Sequence, residues 1–262
     1  MLFSEVLDSM QPQGEGWTAQ AGEDWTQGRS LFGGLQAALC VKAMRAALPG
    51  LPPLRTLQTA FVAPVPPGAV RLCARRLRQG KSAVQVEARI VDGEATLCLA
   101  LGVFGAARPS AVRLAPPPPA PAQDPDARVL PYWPGVTPAF TQHFAMRWLR
   151  GGLPFQGARQ ADQLIEMELR DPAPLGEAQV LAFADVIPPI ALSWLDKPAP
   201  GSSMSWMIEL YAERFDHLPP RGWRFDAQLV AAADGYTSQT GTLWAPDGSA
   251  VALSRQSMVV FA

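Results

Sequence analysis

The sequence predicts an α+β protein of two similar units, each with one apolar helix packed on an antiparallel sheet. Two helical segments support this prediction, Leu35–Leu48 and a segment that begins at Gly176. Strand-like segments separated by turn residues follow each helix. Because the same turns recur in the same order in both halves, we interpret the chain as an internal duplication whose two copies pair as a pseudo-dimer.

The first unit is predicted to contain a strand region at Gly14–Trp25, then a helix, then an antiparallel meander. The helix Leu35–Leu48 is rich in Ala, Leu and Met, and Pro49 and Gly50 end it. Asp92-Gly93 is a two-residue hairpin signal between the last two strands. The four strands of the meander are Arg55–Phe61, Ala69–Leu77, Ser82–Val91 and Glu94–Phe104.

The second unit repeats this order. A Pro-Pro-Gly turn at Pro66–Gly68 has its counterpart at Pro219–Gly222, and Gly80 and Gly93 are spaced like Gly235 and Gly248. The predicted strands are Phe144–Leu149, Gln163–Leu169, Ser203–Ala212, Trp223–Ala233, Tyr236–Trp244 and Ala250–Phe261. A proline-rich stretch separates the halves and is typical of an extended linker. We therefore expect units at 1–108 and 139–262, joined by a linker at 109–138.

Composition excludes several classes of function. Of 262 residues, 48% are hydrophobic and 17% charged, which indicates a globular chain, and the net charge of −1 gives no reason to expect nucleic-acid binding. Cys40, Cys73 and Cys98 lie in apolar surroundings without CxxC spacing, so we expect reduced thiols in the cytoplasm. We expect no signal peptide and no membrane span, because the N-terminus lacks a basic and then apolar stretch and no run of about 20 apolar residues occurs.

Asp185 is the principal candidate for a functional residue. It lies in the last turn of the second apolar helix, just before Pro188 and Pro189, which cannot continue a helix. Burying a carboxylate is costly unless it is bonded or paired. The first helix contains no Asp or Glu, so the fold itself does not require this acid. We therefore expect one site per chain, in the second unit.

Other catalytic motifs are not evident in the sequence. His143 and His217 are the only histidines, and they do not form an HExxH or similar metal-binding pattern. No GxSxG sequence marks a serine nucleophile. We expect no metal and no cofactor.

The chain resembles the acyl-CoA thioesterase II family, in which two hot-dog units are fused. In a hot-dog unit an antiparallel sheet wraps around a long central helix. The resemblance extends over nearly the whole chain. The segments that carry it are LFGG at Leu31–Gly34, FVAPVPPG at Phe61–Gly68, FADVIPPIAL at Phe183–Leu192, SMSWMIELYAERF at Ser203–Phe215 and PDGSAVALSRQSMVVF at Pro246–Phe261.

The resemblance implies hydrolysis of acyl-CoA thioesters in fatty acid metabolism by a water held by Asp185, Ser205 and Gln256. Many members have Thr where Ser205 stands, and the hydroxyl is kept. Gly33 and Gly34 are implied to allow close approach of the substrate or close helix packing. Some members have a His in the strand after the first helix; this chain has none there, and Gln58, the nearest candidate, is assigned to the substrate-binding site. The implied partners are acyl-CoA and further copies of the chain, in a homodimer or larger assembly.

Two alternatives remain open. A non-catalytic acyl-CoA or lipid binder of the same fold would keep the acyl pocket but would not need Asp185. A hot-dog enoyl-CoA hydratase or dehydratase would need a His–Asp or His–Glu pair, and this chain has no helical His. Fold analogy alone does not separate these functions.

Overall fold

The computed structural model describes residues 1–119 and 127–261, which form three α-helices and fifteen strands. The helices are α1 (Phe3–Asp8), α2 (Gly33–Ala47) and α3 (Glu177–Asp185). The strands of the first half are β1 (Gln11–Gln13), β2 (Gly16–Ala21), β3 (Thr26–Gln27), β4 (Ser30–Leu31), β5 (Leu54–Phe61), β6 (Gly68–Gln79), β7 (Ala83–Asp92) and β8 (Ala95–Gly105). Those of the second half are β9 (Arg128–Val129), β10 (Phe144–Arg150), β11 (Asp162–Leu169), β12 (Gly201–Leu210), β13 (Arg221–Ala233), β14 (Tyr236–Trp244) and β15 (Ala250–Val260).

Thirteen of these strands form one antiparallel sheet, in the order β1-β2-β6-β7-β8-β5-β12-β15-β14-β13-β11-β10-β9. The two predicted sheets are therefore continuous, because the edge strand β5 of the first half pairs with the edge strand β12 of the second. In this junction Gln58 lies opposite Met207 and Thr59 lies opposite Trp206. Pairing the two edges satisfies backbone groups that an open edge would leave exposed.

The proline-rich segment is only partly described. Residues 120–126, which fall in the linker predicted at 109–138, lie outside the described residues. The later part of the predicted linker contains β9, which pairs with β10 at the far edge of the sheet.

The two long helices lie side by side on the inner face of the sheet. Helix α2 packs on β6, β7 and β8, and α3 packs on β11 and β13. Ten residues of α2, on all of its sides, are buried, as expected for a helix enclosed by protein. The helices are antiparallel: Gly34 at the start of α2 lies beside Ala182 near the end of α3, and Arg45 near the end of α2 bonds Glu177 at the start of α3.

Helix α3 ends at Asp185, which agrees with the prediction that this acid occupies the last turn. The prolines at 188 and 189 follow, and then the chain forms a 3-10 turn at Ile190–Trp194. At the other end, Gly176 donates its backbone N–H to Gln179 Oε1 (2.9 Å), which caps the helix.

Aromatic stacking joins the two halves in the core. Phe32, at the start of α2, stacks on Phe140 of the second half with ring centroids 4.2 Å apart. Phe183 of α3 stacks on Trp223 at 4.9 Å. The part of the chain that the structure describes contains no helix long and apolar enough to cross a membrane.

Candidate active site

Asp185 lies where the end of α3, the start of α2 and strand β15 meet. Its Oδ1 accepts a hydrogen bond from Nε2 of Gln256, which lies on the inner face of β15 and is 3% exposed. On the other side, a Cβ added to Gly33 would be 2.7 Å from Asp185 Oδ2. The structure therefore brings together two of the three predicted catalytic residues, Asp185 and Gln256.

A chain of amide hydrogen bonds extends from Gln256 away from the carboxylate. Gln239 on β14 donates through Nε2 to Gln256 Oε1 (3.4 Å). The backbone N–H of Ile190 in turn donates to Gln239 Oε1 (3.0 Å). The loop that follows α3 is thus bonded to the same side chains that hold Asp185.

Burial raises the pKa of Asp185 from its ordinary value of 3.8 to about 7. Enclosure by protein disfavours the charged carboxylate, because the interior solvates it less well than water does. The Gln256 side chain and the backbone amide of Gly34 oppose this effect by bonding to the charged form. An acid of this kind is close to half-ionised at neutral pH, which suits a general base.

Gly33 and Gly34 make the close contact between the helices possible. At Gly33 a Cβ would also lie 2.9 Å from Cζ of Phe61, and at Gly34 it would lie 3.0 Å from Cα of Ala182. Both glycines therefore sit where a side chain has little room. They are the first two residues of α2, and the next amide, that of Leu35, already bonds to Phe32 O (3.1 Å). The positive end of the helix therefore lies next to Asp185.

A pocket of about 70 Å³ opens beside the carboxylate. This space is sufficient for water molecules. Asp185 is the one ionisable side chain among the described residues that line it. The lining residues are Gln27, Ser30, Leu31, Gly33, Gln36, Phe61, Asp185, Gly201, Ser202 and Ser203.

Ser205, the third predicted catalytic residue, does not line this pocket. The inner face of β12 is marked by Trp206, which lies opposite Gln256 in the sheet, so its neighbour Ser205 lies on the outer face and is exposed. The prediction that Ser205 meets Asp185 and Gln256 is therefore not met in this structure. A β-bulge at Met204 immediately precedes Ser205 in the strand.

The bulge places Ser203, rather than Ser205, on the pocket side of the sheet. Ser203 pairs with Met258, and Met258 shares the inner face with Gln256 two residues earlier. One extra residue in a strand shifts every preceding side chain to the opposite face, compared with strict alternation. A hydroxyl group is thus present at the pocket, two residues before the predicted one.

Gln58 also lies away from the carboxylate. It is exposed on β5, opposite Met207, and lines a different groove on the outer face of the sheet together with Ser205. The assignment of Gln58 to the substrate site is thus not supported by its position, because the backbone of the sheet separates it from Asp185.

The histidines are remote from the pocket. His143 stacks on Trp25, with ring centroids 4.0 Å apart, and its Nε2 lies 3.1 Å from Asp24 Oδ2, while His217 is exposed. No group of three His, Cys, Asp or Glu side chains suited to a metal ion occurs within residues 1–119 and 127–261. The chemistry that the pocket supports directly is proton transfer to Asp185 and hydrogen bonding by amides and a hydroxyl.

Comparisons with known proteins agree with this geometry. Residues 21–105 match the family model of the acyl-CoA thioesterase N-terminal domain, and residues 109–260 match that of the C-terminal domain. A search of curated proteins gives no match.

Among solved structures, a conserved protein of unknown function with a hot-dog fold from Alicyclobacillus acidocaldarius has a TM-score of 0.88 at 21% identity, covering 99% of this chain and 98% of that one. The acyl-CoA thioesterase II TesB2 from Mycobacterium marinum has a TM-score of 0.75 at 14% identity, with 99% and 98% covered. The dehydratase domain of PpsC from Mycobacterium tuberculosis has a TM-score of 0.55 at 14% identity, with 94% and 93% covered. At these identities the structural matches establish the double hot-dog fold.

Proposed function

Because the chain belongs to the acyl-CoA thioesterase family, with its N- and C-terminal domains in order, we propose that it hydrolyses acyl-CoA with a water held by Asp185, Gln256 and Ser203. The family makes the protein a thioester hydrolase. The observation that supports this site is the partly buried Asp185 carboxylate, bonded by Gln256 at the edge of a pocket that Ser203 also lines.

In the proposed reaction Asp185 takes a proton from the bound water as the water oxygen bonds to the thioester carbonyl carbon. The carbon–sulfur bond then breaks, the acyl group leaves as the free acid, and Asp185 returns the proton to the CoA sulfur. A base with a pKa of about 7 can carry out both transfers near neutral pH. Ser203 and Gln256 orient the water by hydrogen bonds, and no covalent acyl-enzyme is needed.

The start of α2 is the proposed site for the carbonyl oxygen. Negative charge develops on that oxygen during attack, and preorganised N–H donors stabilise it. The amide of Gly33 begins the helix beside Asp185, where the helix dipole also favours negative charge. The absence of a side chain at Gly33 leaves room for the thioester next to the carboxylate.

The test compares two serines on opposite faces of one strand. Ser203→Ala is expected to lower kcat for CoA release by about tenfold, because it removes one hydrogen bond to the water. Ser205→Ala, two residues away on the outer face, is expected to leave kcat unchanged. Asp185→Asn should reduce kcat by about 10²- to 10⁴-fold, the usual contribution of a general base.

These outcomes also separate the competing functions. Loss of activity in Ser205→Ala but not in Ser203→Ala would refute the proposed role of Ser203. A wild-type protein that releases no CoA from short, medium or long acyl-CoAs, yet is thermally stabilised by them, would be a non-catalytic acyl-CoA binder. A dehydratase is not supported, because none of the described residues lining the pocket is a histidine.

We extend the proposal to the organisation and setting of the protein. Residues 1–108 and 139–262 form the two hot-dog units and 109–138 connects them. The free thiols of Cys40, Cys73 and Cys98 support a reducing compartment such as the cytoplasm. Light scattering would test the proposed homodimer or larger assembly, and a strictly monomeric protein would contradict it.

A further inference from the structure

Gln239 is not bonded to Asp185 itself. It is bonded to the two parts of the protein that hold Asp185, the loop that follows α3 and the Gln256 side chain. It is 4% exposed on the inner face of β14. It accepts from the Ile190 backbone N–H and donates to Gln256. Resting on the proposed function, we propose that Gln239 is a positioning residue that fixes the amide of Gln256 in the one orientation that donates to Asp185.

The backbone N–H of Ile190 determines the orientation of the Gln239 side chain. A glutamine amide has a donor end and an acceptor end, and it fits its surroundings in two orientations unless a neighbour selects one. The N–H of Ile190 is only a donor, so it selects the Oε1 end of Gln239. The Nε2 end of Gln239 therefore faces Gln256.

The orientation of Gln239 determines that of the Gln256 side chain in the same way. Because Gln239 presents a donor, Gln256 turns its Oε1 toward it, and its own Nε2 faces Asp185. A carboxylate accepts this bond most strongly when it is ionised. The Ile190 N–H at one end of the series of hydrogen bonds and the Asp185 carboxylate at the other therefore favour the same orientation of Gln256. With the opposite orientation of Gln256, two oxygens would face each other at Asp185 and two NH₂ groups would face each other at Gln239.

The backbone N–H of Ile190 therefore acts on the base through two side chains, those of Gln239 and Gln256. A donor fixed toward Asp185 favours its ionised, proton-accepting form and opposes the effect of burial. The other faces of the carboxylate meet the start of α2, at Gly33 and Gly34, and the pocket, whose described lining contains no further charged side chain. Gln239 therefore influences when Asp185 acts as a base.

Gln239→Met is the decisive substitution. Methionine has a similar volume and no charge, and it cannot donate to Gln256, so Gln256 is free to turn its oxygen toward Asp185. Weakening the bond to the charged base should raise the lower pKa of the kcat/KM profile by about half a unit or more.

A matched control is available in the same half of the protein. Gln163 on β11 is 1% exposed and donates through Nε2 to Gly152 O (2.8 Å), without contact to the pocket. Gln163→Met should therefore lower stability without moving the pH midpoint of kcat/KM. An unchanged midpoint in Gln239→Met, with only stability reduced as in Gln163→Met, would overturn the positioning role.

The same inference can be tested without turnover, so its failure is distinct from failure of the proposed function. Urea unfolding at a series of pH values measures the free energy of unfolding, and the midpoint of its change with pH reports the titration of Asp185. Gln239→Met should raise this midpoint in the wild-type background, and the pH effect should vanish when it is combined with Asp185→Asn. A pH effect that persists in the double variant would assign it to another group and refute the inference.

Discussion

Replacing Asp185 by Asn should stabilise the protein, and the gain should grow with pH. The wild-type fold holds this acid at a pKa of about 7, against 3.8 for the ordinary side chain. The native state therefore binds one more proton than the unfolded state between these two values. Because stability falls with rising pH wherever the native state binds more protons, the cost of Asp185 is absent below about pH 4 and complete above about pH 7.

The magnitude follows from the two pKa values. A full proton difference changes stability by about 1.4 kcal/mol per pH unit, so the wild type should lose about 2.7 kcal/mol relative to Asp185→Asn between pH 5 and pH 9. Most of this loss occurs between pH 5 and pH 7. The amide is neutral at every pH in this range, so it has no such dependence.

Urea unfolding of wild type and Asp185→Asn at pH 5, 7 and 9 measures the difference in their free energies of unfolding. All other titrating groups are the same in the two proteins.

Asp171→Asn is a control for which the opposite result is expected, because Asp171 is buried but accepts bonds from the backbone N–H groups of Ser4 (2.7 Å) and Ala173 (2.9 Å). Its loss should destabilise the fold. A difference between wild type and Asp185→Asn that is the same at pH 5 and pH 9 would refute the raised pKa and, with it, the role of burial.

The two glycines at the start of α2 should respond differently to Ala. At Gly33 the new methyl group meets the movable ends of Asp185 and Phe61, so stability should change by less than about 1 kcal/mol, while kcat/KM for acyl-CoA falls at least tenfold as the carboxylate is displaced. At Gly34 it meets the ring of Phe32, which is stacked on Phe140, and the backbone of Ala182. Neither can move alone, so thermal or urea unfolding should show a loss of about 1–3 kcal/mol. Equal stability losses in both variants would contradict this distinction.

The helices and the site acid could be predicted from the sequence because local signals define them. Apolar composition and the following prolines located α3 and placed Asp185 in its last turn, and the structure ends the helix at that residue. Alternation in β7 gave its bounds to within one residue. The inner-face position of Gln256 also follows from alternation, since it lies two residues from both Ser254 and Met258, which are buried.

The position of the hydroxyl could not be predicted in the same way. Alternation backward from Trp206 assigns Ser205 to the outer face, but the resemblance alone selected it, and strict alternation would also place Ser203 there. Only the bulge at Met204, which depends on how β12 pairs with β15, returns Ser203 to the inner face. The position of Gln239 could not be predicted for a related reason. Its partners Ile190 and Gln256 are distant in sequence, and a single polar residue in a strand does not indicate which side chains it will bond.

The antiparallel helix pair has two ends, and their difference supports the proposal of one site per chain. At one end the start of α2 faces the end of α3, where glycines leave space and Asp185 has no cationic partner among the described residues. At the other end Arg45 of α2 meets Glu177 of α3 at 2.6 Å and 2.8 Å, and the guanidinium also lies over Phe104. This bidentate pair gives the Glu177 carboxylate a cationic partner, so it stabilises helix packing and supplies no free base. The two units thus provide two equivalent positions, and within the described residues an unpaired carboxylate stands at only one of them.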